Sequence, residues 1–350
     1  MKKYSAVYRP LVERLQAEAE KSHKKSPEII KAVKTKLHQL YGAYTQDNAH
    51  KKAAAIISTL EAETNLHILC PSLDLSRNAT APSLRGAERR SNPGSSYKKP
   101  LDCFANARKD GGPAGQHSSA PDLRQLSEAK TAATALLSLH ASTKERLPHY
   151  TQFYQFIISH TGPVETILDI GCGYNPFAIP FIQDGAFPHS ISEPREAHPP
   201  SARSGLKSYH AYDIDIKTAA LINRFFTCLR LPPLASCADL AVQTPSHQAD
   251  LALMCKLIPV LEAQAPGSGF KLARELNARY LLITYPLKSL GGREKGMAKH
   301  YTANFEKAMA AGELGKFSLT AQTQAGDEIL YLLINGALPL SHICCANAFA

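Results

Sequence analysis

The sequence predicts an α/β protein: a seven-stranded, mostly parallel sheet preceded by a small helical domain. Three observations carry this. Short apolar runs recur at 166–170, 209–212, 250–255 and 280–285, with room for crossover helices between them. The first run ends in a glycine pair, Gly171 and Gly173, the turn that joins a strand to a helix beside a nucleotide-type ligand. Ahead of these runs, apolar residues fall at helical spacing.

In chain order, residues 1–62 read as a basic helical domain. Tyr8, Leu11 and Leu15 share one helical face; Ile29, Val33, Leu37, Leu40 and Tyr41 share another. Ser26-Pro27-Glu28 predicts an N-cap followed by proline at the first helical position. Residues 63–125 read as a flexible, low-complexity insertion rich in proline, glycine and serine, without apolar periodicity. Linking helices occupy 126–163, where Ser142 and Glu145 predict a capping box. The α/β domain spans 164–336. To the four runs above it adds strands at 317–323 and 328–334, joined by a Gln324-Ala325-Gly326-Asp327 hairpin turn, and helices at 216–229 and 257–277. A second insertion is expected at 186–207 and a tail at 337–350.

The chain of 350 residues carries 40 Lys and Arg against 30 Asp and Glu, a net charge of +10. Residues 1–60 hold twelve of these basic residues and five acidic ones. Such a balance favours an anionic partner such as nucleic acid, and fits a basic protein without one equally well. Eight scattered cysteines with no C-x-x-C suggest neither a zinc site nor a disulfide framework, and fit a reduced, cytoplasmic compartment. No apolar run points to export or to a membrane span.

Several residues are candidates for chemistry. Gly171 and Gly173 give G-x-G, a weak signal alone. Asp213, in Tyr212-Asp213-Ile214-Asp215, ends the next strand, where an acid binds ribose hydroxyls. Asp239 follows the next apolar segment and is placed to accept from an adenine amine. Each Asp taken singly reads equally as a turn or cap residue. Lys256 ends a strongly apolar strand, at the edge that faces a ligand crevice, and Glu262 lies six residues on. Leu290 to Met297, containing Arg293, is a glycine-basic loop that suits a phosphate backbone or is a solvated loop.

Taken together, L-S-L-H-A-S-T-K-E-R-L (137–147), L-D-I-G-C-G-Y-N-P (168–176), D-L-A-L-M-C-K-L-I-P-V-L-E (250–262), Y-P-L-K-S-L-G-G-R-E-K-G-M (285–297) and K-T-K-L-H-Q-L-Y-G-A-Y (34–44) closely resemble the aminoglycoside-resistance 16S rRNA guanine-N7 methyltransferases of the guanine-1405 type. The resemblance implies a Rossmann-like class I methyltransferase domain, S-adenosylmethionine as cofactor, and N-terminal helices that dock on RNA. It also implies a partner in the 16S rRNA of the 30S subunit, with no DNA, no membrane and a monomeric enzyme. Carried over by position, His140, Ala141, Ser142 and Arg146 hold the methionine end, with Arg146 as carboxylate clamp. Gly171 and Gly173 form the glycine loop, Asp213 is the ribose acid, and Asp239 with Leu240 meets adenine. Cys255, Gln264 and the N-terminal aromatic Tyr44 line the cofactor. Lys256, Glu262 and Arg293 serve activity toward the ribosome. No metal site is implied. Two rival readings are a small-molecule methyltransferase and a non-catalytic RNA-binding protein with a disrupted cofactor site.

Overall fold

The computed structural model describes residues 4–42, 47–63, 123–183, 206–288 and 296–337. The expected insertion at 63–125 (its ends excepted), most of that at 186–207, nearly all of the tail, Tyr44 and Arg293 lie outside the described residues.

Among the described residues, six α-helices precede the sheet: α1 (Arg9–Ser22), α2 (Ser26–Leu37), α3 (Asp47–Glu63), α4 (Leu123–Leu137), α5 (Ala141–Arg146) and α6 (Tyr150–Thr161). The α/β part then runs β1 (Thr166–Ile170), α7 (Ile179–Gln183), β2 (Ser208–Asp213), α8 (Ile216–Cys228), β3 (Ala235–Cys237), β4 (Ala249–Cys255), α9 (Ile258–Gln264), α10 (Ser268–Glu275), β5 (Ala278–Pro286), α11 (Met297–Ala310), β6 (Phe317–Ala325) and β7 (Glu328–Asn335). The seven strands stand in the order β3-β2-β1-β4-β5-β7-β6. The first five pair in parallel, while β7 pairs antiparallel with β5 and β6.

Helices cover both faces, so the central strands are buried on both sides and read as continuous apolar runs. Alternate residues go to opposite layers. Ile167, Leu251, Leu253 and Leu282 pack with α3, α4, α6 and α8. Leu168, Ile170, Ala252, Met254 and Ile283 pack with α9, α10 and α11. A third, smaller cluster joins α1 and α2 through Leu11, Leu15, Val33, Leu37 and Leu40, and reaches the sheet domain at Ile214 and Val260. Thus α3, with Ala53, Ile57 and Leu60 fully buried, belongs to the sheet's core rather than to the α1–α2 cluster.

Three local expectations are corrected. The helix expected over 257–277 is two helices, because Pro266 supplies no N–H and Gly267 takes φ +82. Ser26 begins α2 rather than capping it; Lys25 holds the cap position without a side-chain bond. The capping box also fails to form: His140 precedes α5, and no side chain caps it. Glu145 turns instead to Lys256, a pairing taken up below.

Candidate functional site

The register aligns the carboxyl ends of the strands. Ile170 lies opposite Tyr212, and Asp213 opposite Cys237, so the loops after β1, β2 and β3 open side by side. In the first of these loops Gly171 and Gly173 have φ +67 and +50, backbone that glycine adopts without cost. A Cβ on Gly173 would lie 3.2 Å from the His140 ring, so the loop and the start of α5 approach as closely as backbone allows. The Cys172 N–H donates to Tyr212 O at 2.9 Å, and the Gly173 N–H to Asp213 Oδ2 at 2.8 Å. Asp213 Oδ1 accepts from the Asp215 N–H at 2.9 Å. Burial pushes the Asp213 carboxyl up to about 6.

Both readings of an Asp in this motif are realised, by different residues. Asp215 caps α8 through the N–H groups of Lys217 and Thr218, and pairs with His50 Nε2 at 3.0 Å. Asp239, buried after β3, receives the Arg14 fork from α1: Nε at 2.6 Å and a terminal nitrogen at 3.1 Å. The same terminal nitrogen donates to Gln264 Oε1 at 3.3 Å.

The opposite wall is cationic. Arg146, buried in α5, makes a bidentate pair with Glu328 at 3.1 and 2.8 Å and donates to Asn175 Oδ1 at 3.0 Å. Its cation lies 4.9 Å from the Phe153 ring centroid. Lys256 sits 7% exposed in left-handed backbone, φ +56, which side chains of its size rarely adopt. Its Nζ is 2.8 Å from Glu145 and 3.2 Å from Glu328. Thr284 Oγ1 donates to Glu328 Oε2 at 2.9 Å. Although burial works against it, Arg146 and Lys256 hold Glu328 below its ordinary value. Burial, with both cations adding, lowers His140 to about 4, so its imidazole is neutral near pH 7. Burial also pushes the Cys255 thiol up to about 12.

Residues of both sets border one cleft at the carboxyl edge, holding about 1100 Å³ of space that is partly open to solvent. Of the expected residues, His140, Ser142, Arg146, Gly171, Gly173, Asp213, Asp239, Leu240, Cys255, Lys256 and Gln264 border it. Ala141 does not, and neither does Glu262. The Glu262 carboxylate accepts from the Gly267 and Gly269 N–H groups at 2.6 and 2.8 Å, closing the turn into α10. The Arg146 fork is engaged by Glu328, a residue of this chain. Its Nε and both terminal nitrogens already donate within this chain.

The sequence reading missed Arg14, Asn175 and Glu328. Asn175 and Pro176 directly follow the glycine loop, and that adjacency was the available signal. Arg14 and Glu328 carried none, being 225 and 182 residues from their partners.

The donor set fits S-adenosylmethionine. Two acids on one side, at the ends of neighbouring strands, suit ribose hydroxyls and an exocyclic amine. Cations on the other side suit an α-carboxylate, and the side-chain-free glycine loop lets a ligand lie against backbone. Among the described residues no cluster able to hold a metal occurs, and no helix is long and apolar enough to cross a membrane.

The comparisons agree with this geometry. The 16S rRNA (guanine(1405)-N(7))-methyltransferase of Micromonospora echinospora is 30% identical over 218 residues, 62% of this chain and 71% of the relative. That of Serratia marcescens is 33% identical over 212 residues, 58% and 74% of the two chains. The crystal structure of the 16S rRNA methyltransferase RmtF with S-adenosyl-L-homocysteine superposes with a TM-score of 0.63 at 24% identity, over 95% of this chain and 93% of that one, a likeness of fold. The family profile described as "Ribosomal RNA methyltransferase (FmrO)" matches residues 123–191 and 199–331, from α4 and the α5 segment through all but the end of β7. Covering more than half of its residues, that match shows that the chain belongs to the FmrO family of ribosomal RNA methyltransferases.

Proposed function

We propose that this protein transfers a methyl group from S-adenosylmethionine to N7 of guanine-1405 of 16S rRNA within the 30S subunit, and so confers aminoglycoside resistance. The observation that carries the reading is the cleft itself. Asp213 is clasped to the glycine loop at the ribose end, and Arg146 and Lys256 face it across the space. The span between Gly173 and Asp213, lengthened by the insertion, leaves that clasp intact at 2.8 Å, which argues against a disrupted cofactor site.

S-adenosylmethionine supplies a methyl group on a sulfonium. Guanine N7 is an unprotonated ring nitrogen whose lone pair forms the new N–C bond, while the S–C pair returns to sulfur. No proton moves, so no general base is required, and the chain's part is positioning and exclusion of water. Gly171 and Gly173 bring backbone against the nucleoside. Asp213 accepts from the ribose hydroxyls and Asp239 from the adenine amine. Arg146 would hold the α-carboxylate. Burial keeps the Cys255 thiol protonated, so it does not compete as a nucleophile for the methyl group. Lys256, held in reserve by Glu145 and Glu328, steadies the flipped guanine at O6 or its phosphate. The exposed lysines of α1, α2 and α3 meet the RNA backbone, and the protein acts as a cytoplasmic monomer.

The test is incubation of purified 30S subunits with the protein and radiolabelled donor, followed by mass spectrometry of the 16S rRNA. The expected result is one N7-methylguanine at position 1405, with Lys256→Ala lowering kcat/KM by about tenfold or more. Unlabelled subunits would refute the reading. Label on a small molecule with none on rRNA would favour the small-molecule alternative.

A further inference from the structure

We infer that Arg14 is a positioning residue for the adenine end of the cleft, and that helix α1 thereby contributes to cofactor selectivity. This deepens the proposed function and rests on its placement of adenine at Asp239.

Arg14 does not border the cleft; it stands behind the wall that Asp239 and Gln264 form. Its Nε and one terminal nitrogen grip the two carboxylate oxygens of Asp239 at 2.6 and 3.1 Å. The terminal nitrogen also reaches Gln264 Oε1 at 3.3 Å, so one guanidinium sets both polar side chains at this end. A second terminal nitrogen donates to Glu18 Oε1 at 2.6 Å, one turn along α1, which fixes the rotamer of Arg14. Asp239 is 3% exposed and Arg14's side chain 18% exposed, so the pair is shielded on the acid's side. The segment before α1 is held to the same edge. The Tyr8 N–H donates to Ile214 O at 2.7 Å and the Ile216 N–H to Ala6 O at 2.8 Å, across the loop that carries Asp213 and Asp215.

The chemistry follows from the lone pairs. Each carboxylate oxygen accepts two hydrogen bonds. Asp239 Oδ1 accepts from Arg14 and from the Ala241 N–H at 3.3 Å, while among the described residues Oδ2 accepts from the Arg14 Nε alone. Oδ2 therefore keeps an acceptor position, with its orientation fixed by the fork. An adenine amine donates to that position. A 6-oxo purine presents an oxygen there and is repelled. Without Arg14 the buried carboxylate loses its countercharge and orienting donors, so its orientation and its preference for a donor are lost.

The experiment is calorimetric titration of the full-length protein with S-adenosylhomocysteine and with S-inosylhomocysteine, which differ at C6 of the purine. Wild type is expected to prefer the adenine ligand. Arg14→Ala is expected to weaken the adenine ligand by about tenfold, the worth of one charge-assisted bond, and to change the inosine ligand by no more than about twofold. Arg14→Lys, which keeps the charge and loses the fork, is expected to fall between. A ratio of affinities that stays at the wild-type value in both variants, whether both ligands weaken together or neither does, overturns the inference and leaves the cofactor reading standing. Wild type that binds neither ligand overturns both.

Discussion

Glu328 is the residue on which the cationic wall depends. Its carboxylate contacts Arg146, Lys256 and Thr284. Glu328→Gln leaves two buried cations without this carboxylate and is expected to cost about 3–5 kcal/mol, read from urea unfolding. The pH dependence has a definite sign. Since Glu328 is held below its ordinary value of 4.5, its contribution is present above that value and lost as pH falls through the lowered one. Asp213 acts oppositely. Pushed up to about 6 from 3.8, it binds its proton more tightly when folded, so the ligand-free protein loses some stability as pH rises across that window. Cofactor binding needs the carboxylate. The affinity for S-adenosylhomocysteine is therefore expected to fall by about tenfold per unit once pH drops below about 6, and Asp213→Asn to flatten that fall. Asp213, Asp239 and Lys256 were legible as cleft residues because each follows or ends an apolar segment, and Arg146 through the resemblance carried by residues 137–147. Their partners were not, because Arg14 and Glu328 approach from elements hundreds of residues away in the chain.

At the scale of elements, six strands announced themselves by apolar runs, and β3 did not. It has three residues, one of them exposed, too few for a periodic signal. The hairpin turn was readable because Gly326 takes φ +57 beside Asp327. The capping box failed for an energetic reason. Glu145, half exposed, gains more from the buried ammonium of Lys256 than from a backbone N–H at the start of a six-residue helix. The glycine loop permits a direct test. In Gly173→Ala a methyl group must adopt φ +50 against the His140 ring at 3.2 Å. The expected cost is about 1–2 kcal/mol in thermal unfolding, together with weaker binding of S-adenosylhomocysteine.

At the scale of the molecule, the boundary after residue 62 suggested by composition cuts through packing. α3 fills the sheet's core with Ile57 and Leu60, so removing residues 1–60 would expose that core and report on folding rather than on RNA. Charge reversal asks the question cleanly. Lys31 and Lys34 lie exposed on α2, beside the exposed Ile30. Lys31→Glu with Lys34→Glu is expected to reduce 30S methylation by about tenfold at moderate salt and to flatten its salt dependence. Binding of S-adenosylhomocysteine should be unchanged, since neither side chain borders the cleft.

The join between Arg146 and Glu328 spans 182 residues. A nascent chain emerging from its own ribosome has made the guanidinium, the lysine and the glycine turn long before the final hairpin exists. Until β7 inserts beside β5, those two cations lack their shared counter-ion. Completion of the cationic wall therefore waits on the pairing of β7 with β5.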